Sequence, residues 1–542
     1  MKTDRVENIL NGDQAMAYGA LASGVNLVTS YPGSPSAGTV QTLIMLSKTH
    51  PFYVEWSSNE KVAMEMGIGA SIAGRRALVC AKSVGMNLLI DPLMALNLTP
   101  VKGGLVILLG DDPGGYGSQN DQDTRPLASF LEMPLLEPAT PLEGYHMMQE
   151  AFMISEKYHT AVIIRETRGF TLQEESVATD LASYPDVNLG FTSEPWRFVP
   201  VPENAVKKHE ALHHRLSDIK LWANQCKNNH SSGNGVRGVV GAGFVFQKLM
   251  DILGDLPQED FRLFKLSSIY PLPEKPLGLF LKECEEVLIL EEIEPYVETH
   301  IKALAYDLGI HTKIYGKQSH HIPGQGELFR WQIQKALVNF LPGFKPNKAY
   351  SEENECKERP SMKNNCKDEG YGDILDVLQA AGEHVDVKMA LIGDPGCLVT
   401  VADRLDAKYA IGSAVGIADG MSKTNIKERP VAIFGDSSFF HTSLPAICNA
   451  IYNQSNILLI VLDNKAAGAT GFQPNPGTGK NAMQEPAPKL SIEKIARACG
   501  VKWITVSDPD DSDSKLKTIF QEALIHDDLA MVIVNTKSTL EA

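Results

Sequence analysis

Two short segments near the C-terminal end carry residues suited to a hard cation. Gly435-Asp436-Ser437 directly follows the apolar run Val431-Ala432-Ile433-Phe434, and a second apolar run, 457–462, ends in Asp463-Asn464. A divalent cation carrying a diphosphate takes oxygen ligands in a near-octahedral shell, and a carboxylate and an amide at the ends of neighbouring parallel strands supply them. Asp436 and Asn464 are the candidate Mg²⁺ ligands. Gly435, Ser437 and Ser438 are small enough to let backbone N–H groups approach phosphate oxygens, and a helix expected over 441–453 turns its positive end toward them. One Gly-Asp-Ser after a strand is also an ordinary turn with an Asp cap. The spaced Asp-Asn on a second strand sets this case apart, and the pair reads as a site for thiamine diphosphate.

The elements that must position these groups are strands alternating with helical patterns, the signature of parallel α/β layers. Strand candidates in a first block, 1–185, lie at 25–29, 76–80, 104–109 and 160–164. A polar, proline-containing passage at 183–204, a helical stretch at 211–225 and a loop at 228–233 read as a connection, 186–235. A smaller block, 236–344, carries apolar runs at 238–241, 286–290 and 312–315, and the charged stretch 345–369 reads as an exposed linker. The last block, 370–542, has strand candidates at 389–392, 431–434, 457–462, 503–506 and 531–534. The Asp-Asn pair falls at the C-terminal ends of the second and third, where open α/β sheets place their ligands.

At 542 residues the chain is long enough for about three domains. Its net charge of −16 argues against nucleic acid or an anionic membrane as main partner. The polar start, 1–14, is unlike a signal peptide and no apolar run is long enough to span a bilayer, so a cytoplasmic protein is expected. The 8 cysteines are scattered singly, with no Cys-x-x-Cys, and read mostly as reduced thiols buried as small apolar groups.

Several stretches closely resemble the large subunit of indolepyruvate:ferredoxin oxidoreductases. They are Tyr31-Pro32-Gly33-Ser34-Pro35-Ser36, Asn59-Glu60-Lys61-Val62-Ala63, Asp91-Pro92-Leu93-Met94 and Ser118-Gln119-Asn120-Asp121-Gln122-Asp123. Tyr270-Pro271-Leu272-Pro273-Glu274-Lys275, Gly393-Asp394-Pro395-Gly396-Cys397 and 470–479 follow in matching order. The resemblance runs over residues 8–538. It implies an α/β fold with a pyrimidine-binding domain, a transketolase C-terminal-like domain and a diphosphate-binding domain. It also implies a site where the first and third meet, often across a dimer.

Seen alone, Glu60 is a first-turn carboxylate favoured by the helix dipole. The resemblance makes it the residue that hydrogen-bonds the aminopyrimidine and favours the imino tautomer. That tautomer removes the thiazolium C2 proton, and the ring then serves as electron sink while a 2-oxo acid loses CO₂. The resemblance likewise implies metal coordination by the Ala466 carbonyl and a substrate-contacting hydroxyl at Ser34, a residue that is equally plain turn chemistry. His441 reads either as a substrate-binding or proton-moving imidazole or as a helix-start histidine.

The chain departs from this pattern at its cysteines. Ferredoxin-linked relatives carry Cys-Pro-Gly-Cys where this chain reads Arg359-Pro360-Ser361-Met362-Lys363-Asn364-Asn365-Cys366-Lys367. A cubane cluster takes four thiolates, and here only Cys397, which the resemblance makes a candidate cofactor-binding residue, and Cys366 remain. With the chain ending at Leu540-Glu541-Ala542, no ferredoxin module is expected. The expectation is a thiamine diphosphate enzyme acting on a 2-oxo acid or related ketone through an enamine, without its own iron–sulfur cluster. The alternatives are an oxidative subunit making acyl-CoA with electrons leaving through a small partner subunit, and a non-catalytic cofactor-binding subunit. A homodimer or hetero-oligomer is expected.

Overall fold

The computed structural model describes residues 6–179, 187–254, 260–359, 366 and 370–536. The chain forms two compact units, Met1–Val54 with Glu60–Met362 and Glu55–Asn59 with Lys363–Ala542.

The larger unit is built on a seven-stranded sheet. Its order is Ser268–Tyr270, Leu135–Leu136, Val162–Thr167, Leu105–Asp111, Ala77–Lys82, Leu27–Ser30, Tyr53–Trp56. The central strands pair in parallel, and Leu105–Asp111 is buried at every residue, as a strand covered on both faces must be. A second sheet has the order Lys313–Tyr315, Glu286–Leu290, Arg237–Ala242, Phe261–Leu266, His230–Gly233. One continuous apolar core runs from Ala63 and Leu105 to Phe264, Leu277 and Val297, so both sheets share it. Ser268–Tyr270 leaves the chain segment of the second sheet to pair with Leu135–Leu136 of the first, and His230–Gly233, from the expected connection, joins the second.

The smaller unit holds a six-stranded parallel sheet in the order Ala407–Lys408, Met389–Gly393, Arg429–Gly435, Leu458–Asp463, Ala530–Asn535, Trp503–Ser507. Alternate residues of one strand feed opposite cores. Val431 and Ile433 pack with Leu375, Leu378 and Phe520, while Ala432 and Phe434 pack with Ala418, Ile447 and Ala496. Helices therefore cover both faces, and the open ends of the strands are left for a ligand.

Four local expectations change. The helix expected over 441–453 begins five residues earlier: Asp436–Ser438 continues through a π turn, Phe439–Ser443, into Leu444–Tyr452. The stretch 211–225 lengthens to a helix, Pro202–Ala223, whose buried residues are Leu212, Ile219 and Ala223. The loop at 228–233 contributes His230–Gly233 as an antiparallel edge strand beside Phe261–Leu266. Within 345–369, Glu352–Asn354 and Glu355–Glu358 are helical. They are held by Trp331 Nε1 donating to Glu355 (2.9 Å) and by the Arg330–Glu358 pair (2.7 Å). Residues 360–365 and 367–369 of that stretch lie outside the described residues, as do 183–186.

Candidate active site

In the smaller unit, Arg429–Gly435 and Leu458–Asp463 lie side by side with Gly435 opposite Leu462. The register brings Asp436 and Asp463 to adjacent strand ends. Asp436 is buried, and its carboxyl is pushed up to about 8, first by burial and then by the charge of Asp463. The Asn475 amide, the Ser437 N–H and the Ala466 N–H oppose that rise. Asp436 Oδ1 accepts from Ser437 N (2.7 Å) and Oδ2 from Asn475 Nδ2 (2.7 Å). Asn475 also reaches Ser437 Oγ (3.1 Å), so the loop 466–479 is folded over the turn.

Asn464 is buried, and its Oδ1 accepts from Ala466 N at 3.3 Å. The Ala466 carbonyl accepts from Gly468 N at 3.0 Å. Asp436, Asn464 and Ala466, the three expected metal ligands, are thus neighbours. The buried Asp436 carboxyl, raised in part by the charge of Asp463 and with an amide oxygen close by, belongs to a donor set that a hard divalent cation relieves. The diphosphate also has room. A Cβ built on Gly435 meets nothing nearer than the Leu462 carbonyl at 3.9 Å, and φ there is −80°. Neither packing nor backbone strain demands this glycine. Its bare Cα leaves the strand end open, so the residues present fit Mg²⁺ and a diphosphate.

Ser438 and His441 face another group. Asp394, fully buried after the strand Met389–Gly393, accepts from Gly412 N (2.6 Å) and Ala414 N (2.8 Å). Its carboxyl is pushed up to about 6 by burial, against those N–H groups, the Ser438 hydroxyl and His441. His441 is buried within the π turn, a distortion that frequently marks functional positions. Its Nδ1 lies 3.2 Å from Thr442 Oγ1. Cys397, expected as a cofactor-contacting thiol, is instead bonded to Cys366. That bond sets these two apart from the expectation that the cysteines are mostly reduced thiols.

In the larger unit, Glu60 opens the helix Glu60–Ile72 and is buried. It lies against the turn before the helix Met86–Leu96, where a Cβ on Gly85 would sit 2.4 Å from Glu60 Oε1. Ser34 is exposed at the tip of its turn. That turn lies over two strand ends: Gly33 packs on Lys82 and Pro35 on Gly110. Gly85 N donates to the Lys82 carbonyl (2.9 Å), so Glu60 and the Ser34 turn border the same 82–85 segment. Lys82 Nζ donates to the Gly117 carbonyl at 2.6 Å, and burial lowers its pKa against the charge of Asp112.

Asp463, Asn475, Asp394 and Lys82 join these groups in the structure without having been expected there. Asp463, Asp394 and Asn475 lay inside stretches already singled out, at a strand end or in a glycine-rich loop, which is the signal that could have found them. Lys82 closes its strand and carried no such mark.

The family described as pyruvate flavodoxin/ferredoxin oxidoreductase, thiamine diP-bdg, matches residues 18–185. That described as thiamine pyrophosphate enzyme, C-terminal TPP binding domain, matches residues 407–534. Indolepyruvate oxidoreductase subunit IorA of Thermococcus kodakarensis is 34% identical over 560 residues, covering 97% of this chain and 84% of that protein. Its counterpart from Pyrococcus abyssi is 32% identical, covering 98% and 86%. Sulfopyruvate decarboxylase subunit beta of Methanocaldococcus jannaschii is 28% identical over 160 residues, 28% of this chain and 79% of that protein. With its parallel α/β sheets and both thiamine diphosphate domains, the chain belongs to the thiamine diphosphate-dependent 2-oxoacid oxidoreductases, an enzyme family it shares with the IorA subunits.

Proposed function

We propose that this chain is the catalytic subunit of an oxidative 2-oxoacid oxidoreductase taking an aryl 2-oxo acid of the indolepyruvate kind. The likeness to IorA subunits over nearly the whole chain carries this reading. In the overall change a 2-oxo acid anion and CoA give acyl-CoA, CO₂, one proton and two electrons, which leave through a partner subunit. Bound thiamine diphosphate supplies the carbon nucleophile and the electron sink. The chain's own residues do the holding. Asp436, Asn464 and the Ala466 carbonyl would ligate Mg²⁺, and the Gly435, Ser437 and Ser438 backbone would meet the diphosphate. Glu60 would hold a proton at the aminopyrimidine, while the Ser34 hydroxyl and the His441 imidazole would orient the substrate carboxylate or move a proton. Cys397 has no ligand role while its sulfur is bonded to Cys366. A cytoplasmic location and a dimer or hetero-oligomer complete the reading, and no described helix is long and apolar enough to cross a membrane.

A second reading has its own support. The 542 residues contain no Cys-x-x-Cys, and the two thiols at the cluster position are joined to each other. Non-oxidative decarboxylation, in which a proton replaces CO₂ and an aldehyde leaves, needs no electron carrier. One experiment separates them. The anaerobically purified chain, with thiamine diphosphate and Mg²⁺, is given phenylpyruvate, indolepyruvate or pyruvate, with and without CoA and a low-potential dye. Dye reduction with acyl-CoA formation supports the oxidative reading. Aldehyde formed without dye or CoA replaces it with the second, and no turnover of any of the three acids overturns the substrate class.

A further inference from the structure

A cluster far along the chain from the groups above has the make-up of a transition-metal site. His209 and His213 stand four residues apart on the helix Pro202–Ala223 and reach one carboxylate, that of Glu132. His209 Nε2 lies 2.7 Å from Glu132 Oε2, and His213 Nε2 lies 2.8 Å from Glu132 Oε1. The three ligand atoms lie within 4.8 Å of one another. The helix segment His209-Glu210-Ala211-Leu212-His213 has the H-E-x-x-H spacing that puts two imidazoles on one helix face. The sequence pattern alone is common, and the third ligand comes from a different element.

The backbone around the cluster fixes all three positions. Leu212, between the histidines, is buried, and two residues beyond His213 Arg215 Nη2 donates to the Asn97 carbonyl at 2.9 Å. Asn97 Nδ2 in turn donates to the carbonyl of Leu131, the neighbour of Glu132, at 3.2 Å. Asn97 therefore ties the helix to the turn that carries the carboxylate. At that turn Glu132 has φ +54°, in the left-handed region where glycine or asparagine is the low-cost occupant. The chain keeps a carboxylate there and aims it at the two imidazoles. The tip is accessible, with side-chain exposures of 49% for His209, 60% for His213 and 23% for Glu132.

We propose that Glu132, His209 and His213 bind a divalent transition metal, Zn²⁺ by the donor set, that clamps the helix Pro202–Ala223 to the turn after the helix Arg125–Phe130. Two imidazoles and a carboxylate are the borderline ligands Zn²⁺ takes, and three protein ligands leave one position for water. Bonds of about 2.0–2.1 Å at tetrahedral angles put donor atoms about 3.3 Å apart, so each imidazole backs away from the carboxylate by roughly half an ångström. The metal then replaces both N–H···O contacts.

The inference is independent of the thiamine diphosphate reading, and its test is binding of the metal alone. Full-length chain stripped with a chelator is titrated with ZnCl₂ by calorimetry, and with CoCl₂ by visible absorption, which reports coordination number. An Asp436→Ala background removes the hard-cation site from the count. One saturable equivalent is expected, with intense four-coordinate Co²⁺ bands. His209→Ala, His213→Ala and Glu132→Gln should each weaken Zn²⁺ binding by at least about tenfold, and His214→Ala, next along the helix, should not. Circular dichroism confirms that each variant is folded; if one is not, the remaining variants and the Co²⁺ spectrum of the parent decide. No saturable equivalent, weak octahedral Co²⁺ bands, or equal affinity in the folded His209→Ala/His213→Ala protein would overturn the proposal.

Discussion

The Asn475 amide donates to Asp436 Oδ2 across 2.7 Å, joining a glycine-rich loop to the strand end 39 residues before it. Asp436 Oδ1 is held by its neighbour's N–H, so this amide fixes the orientation of the carboxylate. A hydrogen bond to a charged group contributes about 1.5–3 kcal/mol. Asn475→Ala should therefore bind thiamine diphosphate with Mg²⁺ roughly ten- to hundredfold more weakly by calorimetry. Asp436→Ala should abolish binding, and unchanged affinity in either variant would place the diphosphate elsewhere.

Gly85 packs closely against Glu60. A Cβ there would lie 2.4 Å from Oε1, 2.7 Å from Cγ and 2.8 Å from Cδ, so Gly85→Ala must push the carboxylate aside. If Glu60 works on the aminopyrimidine, turnover should fall by about a hundredfold, the cost of displacing an aligned group by an ångström. Cofactor affinity should hardly change. Glu60→Gln should retain binding too, with slowed exchange of the C2 proton measured by NMR. Normal turnover and exchange in Glu60→Gln would remove Glu60 from the chemistry.

Much of this was legible because the strands are buried on both faces. Runs such as 104–109 and 457–462 must be continuously apolar, so the strands could be located, and the polar residues that follow two of them, Asp436 and Asn464, marked the ligand end. Groups that arrive by tertiary contact were not. Nothing local in Asn475 says that its loop folds back on Asp436. The π turn around His441 lies where Phe439 and Phe440 enter the core, and no local pattern in the sequence marks it. The strand His230–Gly233 has an exposed, polar sequence and is defined by its partner Phe261–Leu266. Cys366 and Cys397 are 31 residues apart, and spacing alone does not pair cysteines.

A buried acid pair should set part of the pH dependence of stability. Glu166 is fully buried with neither carboxyl oxygen hydrogen-bonded, and Asp13 raises its pKa further. Asp13 itself is pushed from 3.8 up to about 7 by burial, against its bonds from Thr39. A raised carboxyl keeps in the folded state a proton that the unfolded chain has released. Its stability contribution is therefore full below pH 4 and is lost as pH rises through about 7. Asp13→Asn should flatten that part of the curve and gain on the order of 2 kcal/mol over the parent at pH 8 in urea denaturation. The two proteins should converge near pH 4. Parallel curves over the whole range would show that Asp13 titrates normally.

The bond between Cys366 and Cys397 makes the last prediction. It closes a loop of 31 residues that includes the helix Tyr371–His384 and the strand Met389–Gly393, ending three residues beyond Asp394. Loop closure of this length removes about 3–4 kcal/mol of chain entropy from the unfolded state. Both sulfurs are buried in the core that contains Leu375, Leu398 and Phe520, so a reductant should act slowly on the native protein and quickly once it opens. Cys397→Ser should thus melt several degrees below the parent, and the parent melted with dithiothreitol should approach the variant. Peptide mapping without reductant should recover the two cysteines in one linked fragment. If mapping finds both thiols free and Cys397→Ser melts with the parent, the segment around Cys397 is held by packing alone, and its thiol is open to a ligand after all.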